Sequence, residues 1–405
     1  MTTAERKLKV SISERVRESM GSSSWIRRMF EEGLELKQRY GEENIFDLSL
    51  GNPIMEPPAE FFQEIKKIAE HPTPGMHRYM SNAGYAETRA AVAEQLSLET
   101  GIKFTMNDVV MTHGAAGALN VVLKTILNQG DEVIIFAPYF AEYVHYIGNH
   151  YGVSRILSTD DGFAPRVDEL ERAINERTRA VLINSPNNPS GAVYSEERLR
   201  EIGEVLRKKE TELGTHILLI SDEAYRKLIY DGLEYPFPVH HHLNSIIATS
   251  HSKDLALPGE RIGYIAVHPE CHGREELVNG FIHVNRTLGF VNASALMQHI
   301  VRHLQGVTVS VAEYQRKRDF VYHNLAAMGY ELAKPQGAFY MFPKSPLEDD
   351  VQFVMELQKL KVLTVPSRGF GTPGYFRIAY CVEDRVLEGS LDGLRQAARK
   401  YGLTK

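Results

Sequence analysis

Between residues 108 and 267, short runs rich in Val and Ile alternate with longer segments of helical period: DVVMT, DEVIIF, RAVLIN, HILLIS, SIIATS and RIGYIAV. Strands buried on both faces read as continuous apolar runs, and when helical segments separate them they pair in parallel through crossover helices. The expected fold class is therefore α/β, a mostly parallel open sheet with helices on both faces. In such sheets ligands bind off the carboxyl ends of the strands. The polar residues just after each run are accordingly the ones to inspect.

Those residues are unusual. HGAAGALN follows DVVMT, and the small residues there open a helix whose free amides at Gly114, Ala115 and Ala116 suit a phosphate. APYFAEY follows DEVIIF and places Tyr139 and Phe140 at a strand end; SPNNPSG, with Asn188, follows RAVLIN; DEAYRKLIY, with Asp222 and Tyr225, follows HILLIS. After SIIATS comes SHSKDLALPGERIGY, in which Lys253 lies between serines and Arg261 sits eight residues on, beside Pro and Gly. Taken singly, each has an ordinary explanation: core aromatics, a turn, a helix cap. Their convergence on one edge of one sheet does not.

A lysine amine forms a Schiff base with a carbonyl when its pKa is lowered by burial or neighbouring cations. Pyridoxal phosphate needs such a lysine, a carboxylate for its ring nitrogen, a flat side chain against the ring, a donor to its phenolic oxygen and a cup for its phosphate. These are the residue types just named.

The totals narrow the partners. A chain of 405 residues exceeds what one core usually serves, so two domains are expected. A net charge of -6 argues against a general nucleic-acid binder, whose phosphate contacts need a basic surface. No apolar run approaches a membrane span, and the charged N-terminus resembles no leader, so a cytoplasmic protein acting on small molecules is expected. The two cysteines, Cys271 and Cys381, are too far apart to read as a metal or disulfide motif. The HHH run at 240–242 is expected to be a solvated loop rather than a metal site, so no metal is assigned.

At the level of motifs the chain resembles the class I and II aminotransferases, which use pyridoxal phosphate on the aspartate aminotransferase fold (fold type I). S-x-S-K followed by R-x-G, here Ser250, Ser252, Lys253, Arg261 and Gly263, carries the resemblance. PNNPSG, DEAY, RYMSNAGY and FRIAY support it in order and rough spacing. The resemblance implies Lys253 as the Schiff-base lysine and proton carrier, Asp222 on the ring nitrogen, Tyr225 and Asn188 on the phenolic oxygen, and Phe140 against the ring. It implies a phosphate cup of the Ala115 and Ala116 amides, Ser250, Ser252 and Arg261, completed by Tyr79 from a neighbouring subunit of a homodimer. Arg377 would take the substrate α-carboxylate, with Gly51 beside it. The expected division is an N-terminal arm and part of a small domain at 1–50, a large cofactor domain at 51–300 and the rest of the small domain at 301–405.

The departures bear on substrate. Phe140 stands where many relatives have tryptophan, Ala116 where some bacterial aspartate aminotransferases have lysine, and His251 where relatives usually have an apolar residue. Arg286 lies near where other relatives supply an arginine that reads the substrate side chain across the dimer. The expected reaction is reversible ping-pong transfer of an amino group from an L-amino acid, aspartate or a neutral one such as alanine, to a 2-oxo acid such as 2-oxoglutarate. The alternative on the same fold is elimination, as in C–S lyases. A transcription regulator built on this fold is disfavoured, because residues 1–45 are too few and too poorly patterned for a helix-turn-helix domain.

Overall fold

The computed structural model describes residues 12–21 and 25–403. The first eleven residues of the expected arm, and residues 22–24, lie outside the described residues.

The chain enters at β1 (Phe46–Asp47) and then builds a sheet from seven strands: β2 (Val109–Thr112), β3 (Glu132–Ala137), β4 (Val153–Ser158), β5 (Thr178–Asn184), β6 (Leu218–Asp222), β7 (Ser245–Ser250) and β8 (Gly263–Val267). Their order across the sheet is β2-β8-β7-β6-β5-β3-β4. Later come β9 (Tyr340–Met341), β10 (Val362–Leu363), β11 (Val365–Pro366) and β12 (Phe376–Ala379); β1 pairs with β10, and β9, β11 and β12 form a second small sheet.

Side chains alternate across a strand, and the two faces of the large sheet bury different partners. Val133, Ile135, Leu182, Ile220 and Ile265 pack with Leu119, Val122 and Phe281 of the helices Gly114–Ile126 and Arg274–Thr287. Ile134, Phe136, Val181, Ile183 and Leu219 face the other way, onto Leu199, Ile202 and Leu206 of the helix Glu196–Leu213. This is the double cover that the apolar runs imply. A separate core joins both ends of the chain: Met29 and Leu48 pack with Tyr340, Leu357, Phe376, Leu394 and their neighbours.

Two features depart from expectation. RIGYIAV forms β8, which is antiparallel to both β7 and β2 rather than parallel. A parallel return needs a long crossover, usually helical; residues 251–262 contain only the short helix His251–Asp254 and a 3₁₀ turn, so the chain doubles back. The HHH run is also solvated only in part: His240 is exposed and His241 half-buried. His242 is buried with Nε2 on the Ile217 carbonyl, His240 bonds the Thr100 carbonyl, and His241 lies 3.0 Å from Glu196. The 3₁₀ turn Pro238–His240 packs against β7, which buries His242 and leaves His240 at the surface. Both cysteines are free and buried, and among the described residues no helix is long and apolar enough to cross a membrane.

Candidate active site

Strand register places the polar ends together. Asn184 pairs with Asp222 across β5 and β6, Ser250 with Gly263 across β7 and β8, and Thr112 with Gly263 across β2 and β8. Because β8 runs backwards, Arg261 at its amino end stands at the same edge as the carboxyl ends of the parallel strands. Gly263 permits the close approach: a Cβ there would lie 2.3 Å from the Thr249 carbonyl oxygen and 2.9 Å from Gly114 Cα.

A cavity of about 280 Å³ opens off this edge. Of the residues expected in the site, Gly51, Ala115, Ala116, Phe140, Asn188, Asp222, Tyr225, Ser250, Ser252, Lys253, Arg261 and Arg377 all line it. Tyr79, 91% exposed, and Arg286, also exposed, stand outside it, so this chain alone does not bring those two expected site residues to the cavity.

Lys253 lies in the short helix His251–Asp254, capped by Ser250, and its Nζ donates to the Gly51 carbonyl at 2.9 Å. Burial, reinforced by the charges of Arg377 and Arg261, pushes this amine down to about 8. Asp222, at the end of β6, is pushed up to about 6 by burial, against two hydrogen bonds that hold it down: Tyr143 donates to Oδ2 at 2.6 Å and the Ala224 amide to Oδ1 at 3.3 Å. The buried Tyr225 hydroxyl is held well above its usual value, chiefly by burial, so it is a proton donor, and it lies 3.1 Å from the Tyr340 hydroxyl. The helix Gly114–Ile126 carries no side-chain cap at its start, which leaves its first amides free for an anion. Arg261, in left-handed backbone at φ 52°, donates to the Pro258 carbonyl at 2.9 Å.

Arg377 is the most constrained group. Its guanidinium donates to Asn188 Oδ1 at 3.0 Å and the Ser49 carbonyl at 2.7 Å, and lies between the Tyr340 and Phe370 rings at 4.5 and 5.0 Å. It is 2% exposed, its Nε has no partner, and among the described residues no carboxylate pairs with it. A buried cation without an acid is costly, so the position is prepared for an anionic ligand.

Sequence reading missed Asn184, Tyr143 and Tyr340. Asn184 ties two expected residues together, donating to the Asp222 carbonyl at 2.9 Å and accepting the Asn188 amide at 2.8 Å. Its place at the carboxyl end of a strand was a usable signal. Tyr143 and Tyr340 carried none, since each acts through a partner far away in sequence.

The donor set fits pyridoxal phosphate: an amine of lowered pKa, a buried carboxylate, a phenol, a ring, and a cluster of free amides, hydroxyls and a guanidinium. Comparison with known proteins agrees. Residues 43–394 match the family described as Aminotransferase class I and II. A probable aspartate/prephenate aminotransferase of Aquifex aeolicus is 31% identical, over 85% of this chain and 89% of its own. Aromatic-amino-acid aminotransferase 2 of Thermococcus litoralis is 30% identical, over 97% and 100%. The crystal structure of an aminotransferase from Eubacterium rectale superposes with a TM-score of 0.93 at 38% identity, covering 96% of this chain and 99% of that one. The elimination reading finds no support among them.

Proposed function

The chain belongs to the aminotransferase class I and II family of pyridoxal phosphate enzymes, and on that premise we propose that its cavity moves amino groups between an L-amino acid and a 2-oxo acid with the residue roles that follow. Arg377 carries the reading. A buried guanidinium with no acid of its own, in the same cavity as an amine of lowered pKa, suits a substrate whose α-carboxylate supplies the missing charge.

When bound, pyridoxal phosphate supplies an aldehyde that condenses with an amine and a protonated ring that accepts the electron pair left when the Cα proton departs. The chain does the rest. Asp222 holds the proton on the ring nitrogen. Tyr225 and Asn188 donate to the phenolic oxygen, and Phe140 lies against the ring. The Ala115 and Ala116 amides, Ser250, Ser252 and Arg261 hold the phosphate. Arg377, with Gly51 beside it, orients the substrate, and Lys253 Nζ takes the Cα proton and redelivers it. Such positioning is worth several kcal/mol of barrier.

The chain is proposed to work as a cytoplasmic homodimer in which Tyr79 of each copy completes the phosphate cup of the other and Arg286 reads the substrate side chain. The small domain, represented among the described residues by 25–50 and 301–403, is proposed to close over the cavity. The proposed donor is aspartate or a neutral amino acid such as alanine, with 2-oxoglutarate as acceptor. A relative named for aspartate and prephenate supports aspartate as the donor.

Mixing the loaded protein with single amino acids and following cofactor absorbance tests the reaction. A spectral change that a 2-oxo acid reverses supports it; ammonia and pyruvate released without an acceptor would overturn it. Lys253→Ala should keep cofactor binding and lose at least ~10³-fold in turnover. Near-normal turnover would remove Lys253 from its role.

A further inference from the structure

His251 has no part in the roles above, yet it is 2% exposed and sits in the same helical turn as Lys253. Its Nδ1 lies 3.2 Å from Asp254 Oδ2. That oxygen is 3.6 Å from Lys227 Nζ, Lys227 donates to the Gln305 carbonyl, and the Gln305 side-chain amide lies 3.4 Å from His251 Nε2. The four residues close a ring: His251, Asp254, Lys227, Gln305 and back to His251. Asp254 is held below its ordinary range by the neighbouring cationic groups despite burial, so its carboxylate only accepts. Nδ1 therefore donates to that carboxylate, and Nε2 faces the Gln305 side-chain amide.

We propose that this ring positions Lys253, locking the turn that carries the amine to the loop that carries Asp222 and Tyr225. The turn has only four residues, too few to hold a helical conformation by itself. His251 and Asp254 clamp it from its first position to its last, with Lys253 between them. Lys227 lies two residues beyond Tyr225 on the loop that leaves β6, so its bond to Asp254 ties the amine to that loop from behind the cavity. Gln305 closes the ring from a third segment, just after the helix Ala295–Val301, and that helix anchors it through the Val301 carbonyl at 2.8 Å. An apolar residue at 251 would fill the space but leave Asp254 with Lys227 alone. None of the four side chains lines the main cavity, so they act through Lys253 rather than on substrate.

The inference rests on Lys253 being the cofactor-bearing amine, and the experiment separates the two. Wild type, His251→Phe, His251→Asn and Lys227→Met are loaded with pyridoxal phosphate, reduced with borohydride and mapped by peptide mass for label on Lys253. Steady-state kinetics and melting temperature are measured on the same preparations. His251→Phe is expected to cut the labelled fraction and to lower kcat about 10- to 100-fold, with donor KM within about twofold, because breaking the ring displaces the amine and not Arg377. His251→Asn, whose amide donates to Asp254, should recover most of both readouts, and Lys227→Met should repeat the His251→Phe pattern. Two results would overturn the ring while leaving Lys253 in place. One is label and kcat unchanged in all variants; the other is a fall in melting temperature alone. No label on Lys253 in wild type would overturn the reading beneath it. Should His251→Phe fail to fold, the contrast between Lys227→Met and His251→Asn decides the matter in the same way.

Discussion

Asp222 works against its own surroundings. To hold a protonated ring nitrogen it must be ionised, yet burial pushes its carboxyl up to about 6, and the hydrogen bond from Tyr143 at 2.6 Å is the larger of the two that oppose the rise. A hydrogen bond to a charged group contributes about 1.5–3 kcal/mol. Removing it in Tyr143→Phe makes the carboxylate harder to form, so its pKa rises and activity is lost earlier on acidification. The acid limb of the kcat/KM profile should therefore move to higher pH, with weaker cofactor retention; profiles that superpose would show that Tyr143 is only packing. Lys253 has the opposite sign. Its amine is nucleophilic only when neutral and is pushed down to about 8, so capture of pyridoxal phosphate by the apoprotein should accelerate as pH rises through about 8. Stopped-flow absorbance reads this directly, and a flat rate between pH 7 and 9 would contradict it.

At the scale of elements, the reversal of β8 lets one short segment supply both the Lys253 amine and the Arg261 guanidinium to the cavity. Lys253 leaves the carboxyl end of β7, the chain turns back, and Arg261 precedes β8 at the same edge. Gly263 is the residue this reversal cannot exchange, since a Cβ would press on both the Thr249 carbonyl and Gly114. Overpacking of this kind costs about 1–3 kcal/mol, so Gly263→Ala should lower the denaturation midpoint and loosen the phosphate cup; an unchanged midpoint would mean that the strands part freely there. The same reversal marks the limit of what the sequence disclosed. The apolar runs located the double-covered strands because burial on both faces demands them. β4 escaped notice because it is an edge strand with Val153 and Ile156 nearly half exposed, and its residues need not be apolar. Strand direction depends on the length of the connection rather than on the strand itself. Most of the expected site residues were legible because each follows a strand end; Tyr143 and Tyr340 were not, because their partners lie 79 and 115 residues away.

At the scale of the whole molecule, the cavity lies where the edge of the large sheet meets the core built from both chain ends. Lys253 from the sheet donates to Gly51, and Arg377 on β12 bonds Ser49 and Asn188. Any movement of the chain-end core relative to the sheet must therefore strain these hydrogen bonds of Lys253 and Arg377. One cofactor-facing residue proposed above is missing from this meeting point: Tyr79, 91% exposed, beside Arg78, Phe290 and Asn292 in a surface hollow of its own. If Tyr79 serves the neighbouring copy, the two-fold arrangement makes a quantitative demand. A Lys253→Ala subunit still offers Tyr79, and a Tyr79→Ala subunit still offers Lys253. Their hybrid has one site with both residues intact and one with both lost. Random reassociation of equal amounts yields about half hybrids, so two nearly inactive proteins, unfolded and refolded together, should regain about a quarter of wild-type activity. Activity that stays at the sum of the parents would place Tyr79 in its own subunit or outside the site altogether.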